Sequence, residues 1–124
     1  MNNSLDETIL LVDSNTPQRT AVAQYLRECG YRVLEATSAN EARQALAHHK
    51  VGVVVTDVSL KDESGFAVSS YVRKEQPGVK IILTHTVERA AAVAGELCEE
   101  GPLDHPYHPQ HLVERIKRLS RKSD

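Results

Sequence analysis

Three features of this sequence predict a doubly wound α/β domain, with a five-stranded parallel sheet and five helices. Short apolar runs without alternation suit strands buried on both faces, and hence a parallel sheet. Segments with helical apolar stripes lie between them, joined by short connections. Strand and helix alternate five times within 124 residues. That length supports one core, so residues 1–124 read as a single unit without repeats or linkers.

Each element has its own signal. Ile9-Leu10-Leu11-Val12 is the first apolar run and ends at Asp13. Thr16 can cap and Pro17 open the first helix, which carries Val22, Leu26 and Cys29 on one stripe and stops at Gly30. Tyr31 to Ala36 makes a less apolar strand. Ser38 and Glu41 form a capping-box pattern ahead of Ala42, Ala45 and Leu46. Val51 to Thr56 is the next run and ends at Asp57. A third helix starts near Gly65, with Phe66, Val68 and Val72, and Pro77-Gly78 closes it. Val79 to Leu83 is a further strand, ending at Thr84, and a helix runs from about Val87 to Glu99. Leu103 and Asp104 suggest a stunted fifth strand, and Pro109 opens a last helix striped by Leu112, Ile116 and Leu119.

Composition excludes some functions. The charge balance, 15 Lys and Arg against 17 Asp and Glu, argues against a nucleic-acid or membrane surface. The basic residues Arg115, Lys117, Arg118, Arg121 and Lys122 read as the solvated face of the last helix. Met1 to Glu7 lacks an apolar signal region, and no stretch approaches the length of a membrane span. A cytoplasmic protein is expected, with residues 1–7 and 121–124 flexible. Cys29 and Cys98 fall at no ligand-like spacing and read as free, buried thiols of a reducing compartment.

In an open parallel sheet the reactive groups gather at the carboxyl ends of the strands, at the topological switch point. The residues just past three apolar runs are Asp13-Ser14, Asp57 and Thr84. If the first and third strands are neighbours, Asp13 and Asp57 share a crevice. Two adjacent carboxylates repel, and a hard divalent cation such as Mg²⁺ relieves that repulsion. Taken singly, either aspartate is more economically read as a loop-starting cap.

Order and spacing carry more weight than any one residue. Ile-Leu-Leu-Val-Asp13, the run Thr56-Asp57-Val58-Ser59-Leu60 with Gly65 eight residues after Asp57, the strand Ile81-Ile82-Leu83-Thr84, and His105-Pro106-Tyr107 follow one another in register. Together they resemble the receiver domains of two-component response regulators over nearly the whole chain. The resemblance implies a flavodoxin-like sheet in the order 2-1-3-4-5. It also implies that Asp57 accepts a phosphoryl group from a sensor histidine kinase or phosphotransfer protein. Asp13, Asp57 and the Ser59 carbonyl would hold Mg²⁺, and the Thr84 hydroxyl would turn inward to the phosphoryl oxygens. Such a protein is no conventional enzyme: it accepts and slowly loses its own phosphoryl group. It signals by contact with a downstream protein target, and homodimerisation is plausible for the family.

The chain departs from the pattern in several places. Ser14 stands where the family has its second acidic residue, so the site loses one formal negative charge and Ser14 contributes weakly or through water. Mg²⁺ should bind less tightly. His105 replaces the family's lysine, making any phosphate contact shorter in reach and pH-dependent. A cis peptide is expected at His105–Pro106. The stretch from Gly101 to His105 is shorter than the family norm and lacks its reporting aromatic residue, so the face made by the fourth helix, fifth strand and fifth helix is expected to be rebuilt. Lys61 replaces a proline, and His85 fills a place usually small and crowds access to Asp57. His105, His108 and His111 invite a zinc reading, but no acidic or cysteine ligand completes the set. Two alternatives stay open: a degenerate receiver working without phosphorylation, and, more remotely, a flavodoxin-type cofactor protein, for which the Ser14 to Pro17 loop is short.

Overall fold

The structure, a computed structural model, describes residues 7–98 and 109–122. Its elements are β1 (Thr8–Val12), α1 (Thr16–Glu28), β2 (Arg32–Ala36), α2 (Ala39–His48), β3 (Val53–Asp57), α3 (Gly65–Glu75), β4 (Lys80–Thr84), α4 (Val87–Leu97) and α5 (Pro109–Lys122). Among the described residues the strands form one sheet of four, in the order β2-β1-β3-β4. Every pairing is parallel: Leu10 sits between Leu34 and Val54, and Asp57 pairs with Thr84. This is the expected doubly wound α/β fold. The stunted strand at Leu103–Asp104 and the His105–Pro106 bond lie outside the described residues.

Successive strand residues point to opposite faces, and the continuous apolar runs supply both. Ile9, Leu11, Val53 and Val55 face a cluster with Ala21, Val22, Tyr25 and Leu26 of α1, Ala91 and Val93 of α4, and Leu112 and Ile116 of α5. Leu10, Val12 and Val54 face the other way, onto Ala42 and Leu46 of α2 and Val68 and Val72 of α3. The two edge strands are less buried: β2 exposes Arg32 and Glu35, and Ile81, Ile82 and Leu83 of β4 are half-buried.

Local chemistry refines several ends. Asn15, rather than Thr16, caps α1, its side-chain oxygen accepting the Gln18 N–H at 3.0 Å. Gly30 takes a positive φ of 99° just past the helix, a conformation costly for any residue with a Cβ. Ser38 caps α2, but Glu41 reaches back to the N–H and hydroxyl of Thr37, one residue earlier than the usual capping box.

The cysteines correct the sequence reading. Cys29 and Cys98 are not free: they form a disulfide, with Cα atoms 5.8 Å apart across a sequence separation of 69. Ligand-spacing rules register neighbours in sequence, whereas the fold brings together the ends of α1 and α4.

Candidate functional site

The site lies at the carboxyl edge of the sheet, where β1 and β3 are adjacent while α1 and α3 leave on opposite faces. Asp13 follows β1 and is buried, with its N–H bound to Ala36 O and its carbonyl held by Arg19 Nη1. Its carboxylate accepts the Asn15 N–H at 2.8 Å and the Gln18 side-chain amide at 2.6 Å. Burial nonetheless pushes this carboxyl above the ordinary aspartate range, and the negative charge of Asp57 pushes it the same way. Asp13 and Asp57 each follow a paired residue of adjacent strands, Val12 beside Thr56, which places both at the same edge of the sheet.

Asp57 and Thr84 end β3 and β4, one residue inside the strands rather than just beyond them, and face each other across the pairing. Val58 N–H donates to Thr84 O at 2.8 Å, tying the loop after Asp57 to the neighbouring strand. Ser59 N–H donates to Asp57 Oδ1 at 2.8 Å, which fixes one oxygen and leaves Oδ2 to other partners. Gly65 is required by close approach: a Cβ there would lie 2.1 Å from Asp57 O, and its N–H donates to Val58 O at 2.7 Å.

Ser14 sits between two loops. Its hydroxyl donates to Thr37 O at 2.8 Å and accepts the Lys61 N–H at 3.0 Å. That commits the proton and one lone pair, leaving a single lone pair for the weak metal contact expected from the sequence. His85 is exposed. His105 and His108 lie outside the described residues.

Three participants were missed from sequence. Gln18 supplies the second donor to Asp13, and Arg19 bridges Asp13 O to Glu35, 3.0 Å from its carboxylate. Asp62, in the loop after Asp57, accepts the N–H groups of Ala39 and Asn40 at 2.9 and 3.1 Å, so this loop caps α2. Those amides hold the Asp62 carboxyl below its ordinary range. A glutamine in the third position of a capped helix is a weak signal for the first contact. Partners 22 and 23 residues apart leave none for the last.

Asp57 closing β3, the buried Asp13 just past the neighbouring β1 and Thr84 closing β4 lie together at one edge of the sheet, the arrangement of a signal-receiver domain. The chain belongs to the response regulator receiver domain family, whose profile matches residues 9–117. It is 33% identical over 120 residues to the transcriptional regulatory protein GltR of Pseudomonas aeruginosa, covering 94% of this chain and 50% of that protein. It is 28% identical to the phosphate regulon transcriptional regulatory protein PhoB of the same organism, over 94% of this chain and 53% of the relative. The chain thus spans about half the length of these curated relatives. Among solved structures it is similar to a CheY-like receiver domain protein from Methanospirillum hungatei, with a TM-score of 0.63, 26% identity and coverage of 95% and 97% of the two chains. A receiver protein from Pseudomonas putida gives 0.61, at 29% identity over 91% and 97%. Receiver domains generally bind Mg²⁺ at this acidic pocket. No helix among the described residues is long and apolar enough to cross a membrane.

Proposed function

We propose that this receiver accepts a phosphoryl group on Asp57 from a sensor histidine kinase or phosphotransfer protein in the cytoplasm, and signals by contact with a downstream protein. The observation that carries this reading is the strand register, which sets Asp13 just past β1 beside Asp57 at the end of β3, with Thr84 paired to Asp57.

The residue types fit a hard divalent cation: the carboxylates of Asp13 and Asp57 at adjacent strand ends, with the Ser59 carbonyl two residues further along the chain. Mg²⁺ held by Asp13, Asp57 and Ser59 O would offset charge on the transferring oxygens. Ser59 N–H orients Asp57 by its Oδ1, so Oδ2 is the attacking atom. As the Oδ2–P bond forms, the bond from phosphorus to the donor's imidazole nitrogen breaks, and the ring keeps the electron pair. Asn15 N–H and Gln18 keep Asp13 oriented beside it. Thr84 then donates its hydroxyl proton to a phosphoryl oxygen, drawing the start of α4 toward the site.

The test is incubation with acetyl phosphate and Mg²⁺. Intact-mass measurement is expected to show one added phosphoryl group, absent from Asp57→Asn. No gain in the parent protein, with acetyl phosphate or with a cognate kinase, would overturn the proposal. The Ser14 bridge favours a second reading, an interaction module that works unphosphorylated, because it ties the loops together without metal. On that reading Asp57→Asn leaves partner binding unchanged.

A further inference from the structure

We propose that Cys29 and Cys98 form a thiol–disulfide exchange site that controls how freely α4 moves. Both linked helices start at the candidate site. α1 begins beside Asp13, capped by Asn15, and α4 begins three residues after Thr84, capped by Thr86. Both end at the disulfide, Cys29 closing α1 and Cys98 closing α4. With 11 residues rising about 1.5 Å each, α4 reaches about 16 Å from the site to its sulfur anchor.

The rest of α4 is held lightly. Its fully buried side chains are Ala90, Ala91, Val93 and Ala94, which remove little apolar surface from water compared with leucine or isoleucine, and Val87 and Leu97 pack against the core only in part. At the far end Tyr31 Oη donates to Leu97 O at 2.5 Å, the one described hydrogen bond that reinforces the same junction. A covalent link at the tip of a weakly buried helix therefore decides whether that tip stays on α1. Opening it frees α4 to shift, and with it the surface that α4 shares with α5.

The exchange balances as a two-electron step. A thiolate of a dithiol reductant attacks one sulfur, the Cys29–Cys98 bond breaks, and the departing sulfur takes up a proton. The reductant's second thiolate then displaces the mixed disulfide and closes its own. Glutathione disulfide drives the reverse, taking two electrons from the pair, whose two protons end on the two glutathione thiols that form. Both cysteines are buried, at 3% and 6% exposure, so exchange requires the end of α4 to lift. The rate of reduction thus reports the same motion that the bond restrains.

The protein is equilibrated in glutathione buffers from fully reduced to fully oxidised. The pair is read by alkylation and mass, and amide hydrogen exchange is followed over Val87–Leu97. The pair is expected to pass between its two states within this range. Reduction is expected to speed exchange in α4 about tenfold beyond any change in β1 and β3, and Cys98→Ser to match the reduced state in every buffer. Three outcomes overturn the proposal: a pair that never changes state, α4 exchange equal in both forms, or a loss of protection as large in the sheet as in α4, which marks a purely structural cross-link. The reduced parent protein decides the matter even if Cys98→Ser does not fold. None of these readings requires phosphorylation at Asp57, so this proposal and the preceding one fail separately.

Discussion

Asp13 carries a charge that its surroundings oppose. Burial and the charge of Asp57 raise its carboxyl above the usual range, against the pull of Asn15 N–H and Gln18. The folded state therefore binds this proton more tightly than the unfolded chain. The resulting stability is present at low pH and is lost as pH rises from the ordinary carboxylate range through the raised folded value. Asp13→Asn is expected to raise the melting temperature by about 3 °C near neutral pH, with the gain vanishing near pH 3. A pH series of thermal melts on both proteins checks this. Gly65→Ala acts by overlap, because its Cβ has to displace the Asp57 carbonyl only 2.1 Å away. Denaturant titration should show a loss of about 1–3 kcal/mol, and acetyl phosphate labelling should slow with it.

Among elements, the loop after β3 is the most heavily tied. Ser14 holds it to β1, Asp62 to the start of α2, and the Arg43–Glu63 ion pair at 2.6 Å adds an outer contact. Ser14→Ala leaves Lys61 N–H and Thr37 O without their protein partner, at a half-buried position where water can replace it. A loss of about 1 kcal/mol is expected in denaturant titration. Ser14→Asp exchanges the same bridge for a third carboxylate. Titration calorimetry is expected to show Mg²⁺ binding about tenfold tighter than in the parent protein. On the opposite face α5 is anchored by apolar bulk, with Leu112 and Ile116 at 0% and 1% exposure. Ile116→Ala should cost about 3 kcal/mol, visible as a lower denaturation midpoint.

At the scale of the molecule, two apolar layers flank one sheet, and the disulfide spans the layer built on α1, α4 and α5. Closing a separation of 69 residues restricts the unfolded chain, by about 4 kcal/mol in the chain-entropy account. Reduction should lower global stability by up to that amount, measured as the denaturation midpoint with and without dithiothreitol. The β2-β1-β3-β4 order places β1 beside β3, which brings Asp13 and Asp57 to the same edge of the sheet.

Much of this was legible in the order of residues. Strand and helix signals are local, since a buried strand has to be apolar continuously and a helix has to be apolar at its own period. Those signals placed Asp13, Asp57 and Thr84 at strand ends before any contact was known, within a residue of their positions in the sheet. Tertiary structure alone decided the partners: Gln18 on Asp13, Ser14 between Thr37 and Lys61, Asp62 on α2, and Cys29 on Cys98. Most of these join segments more than twenty residues apart, and the meeting of such segments depends on how the sheet is wound, a property of the whole chain that no short window of sequence contains.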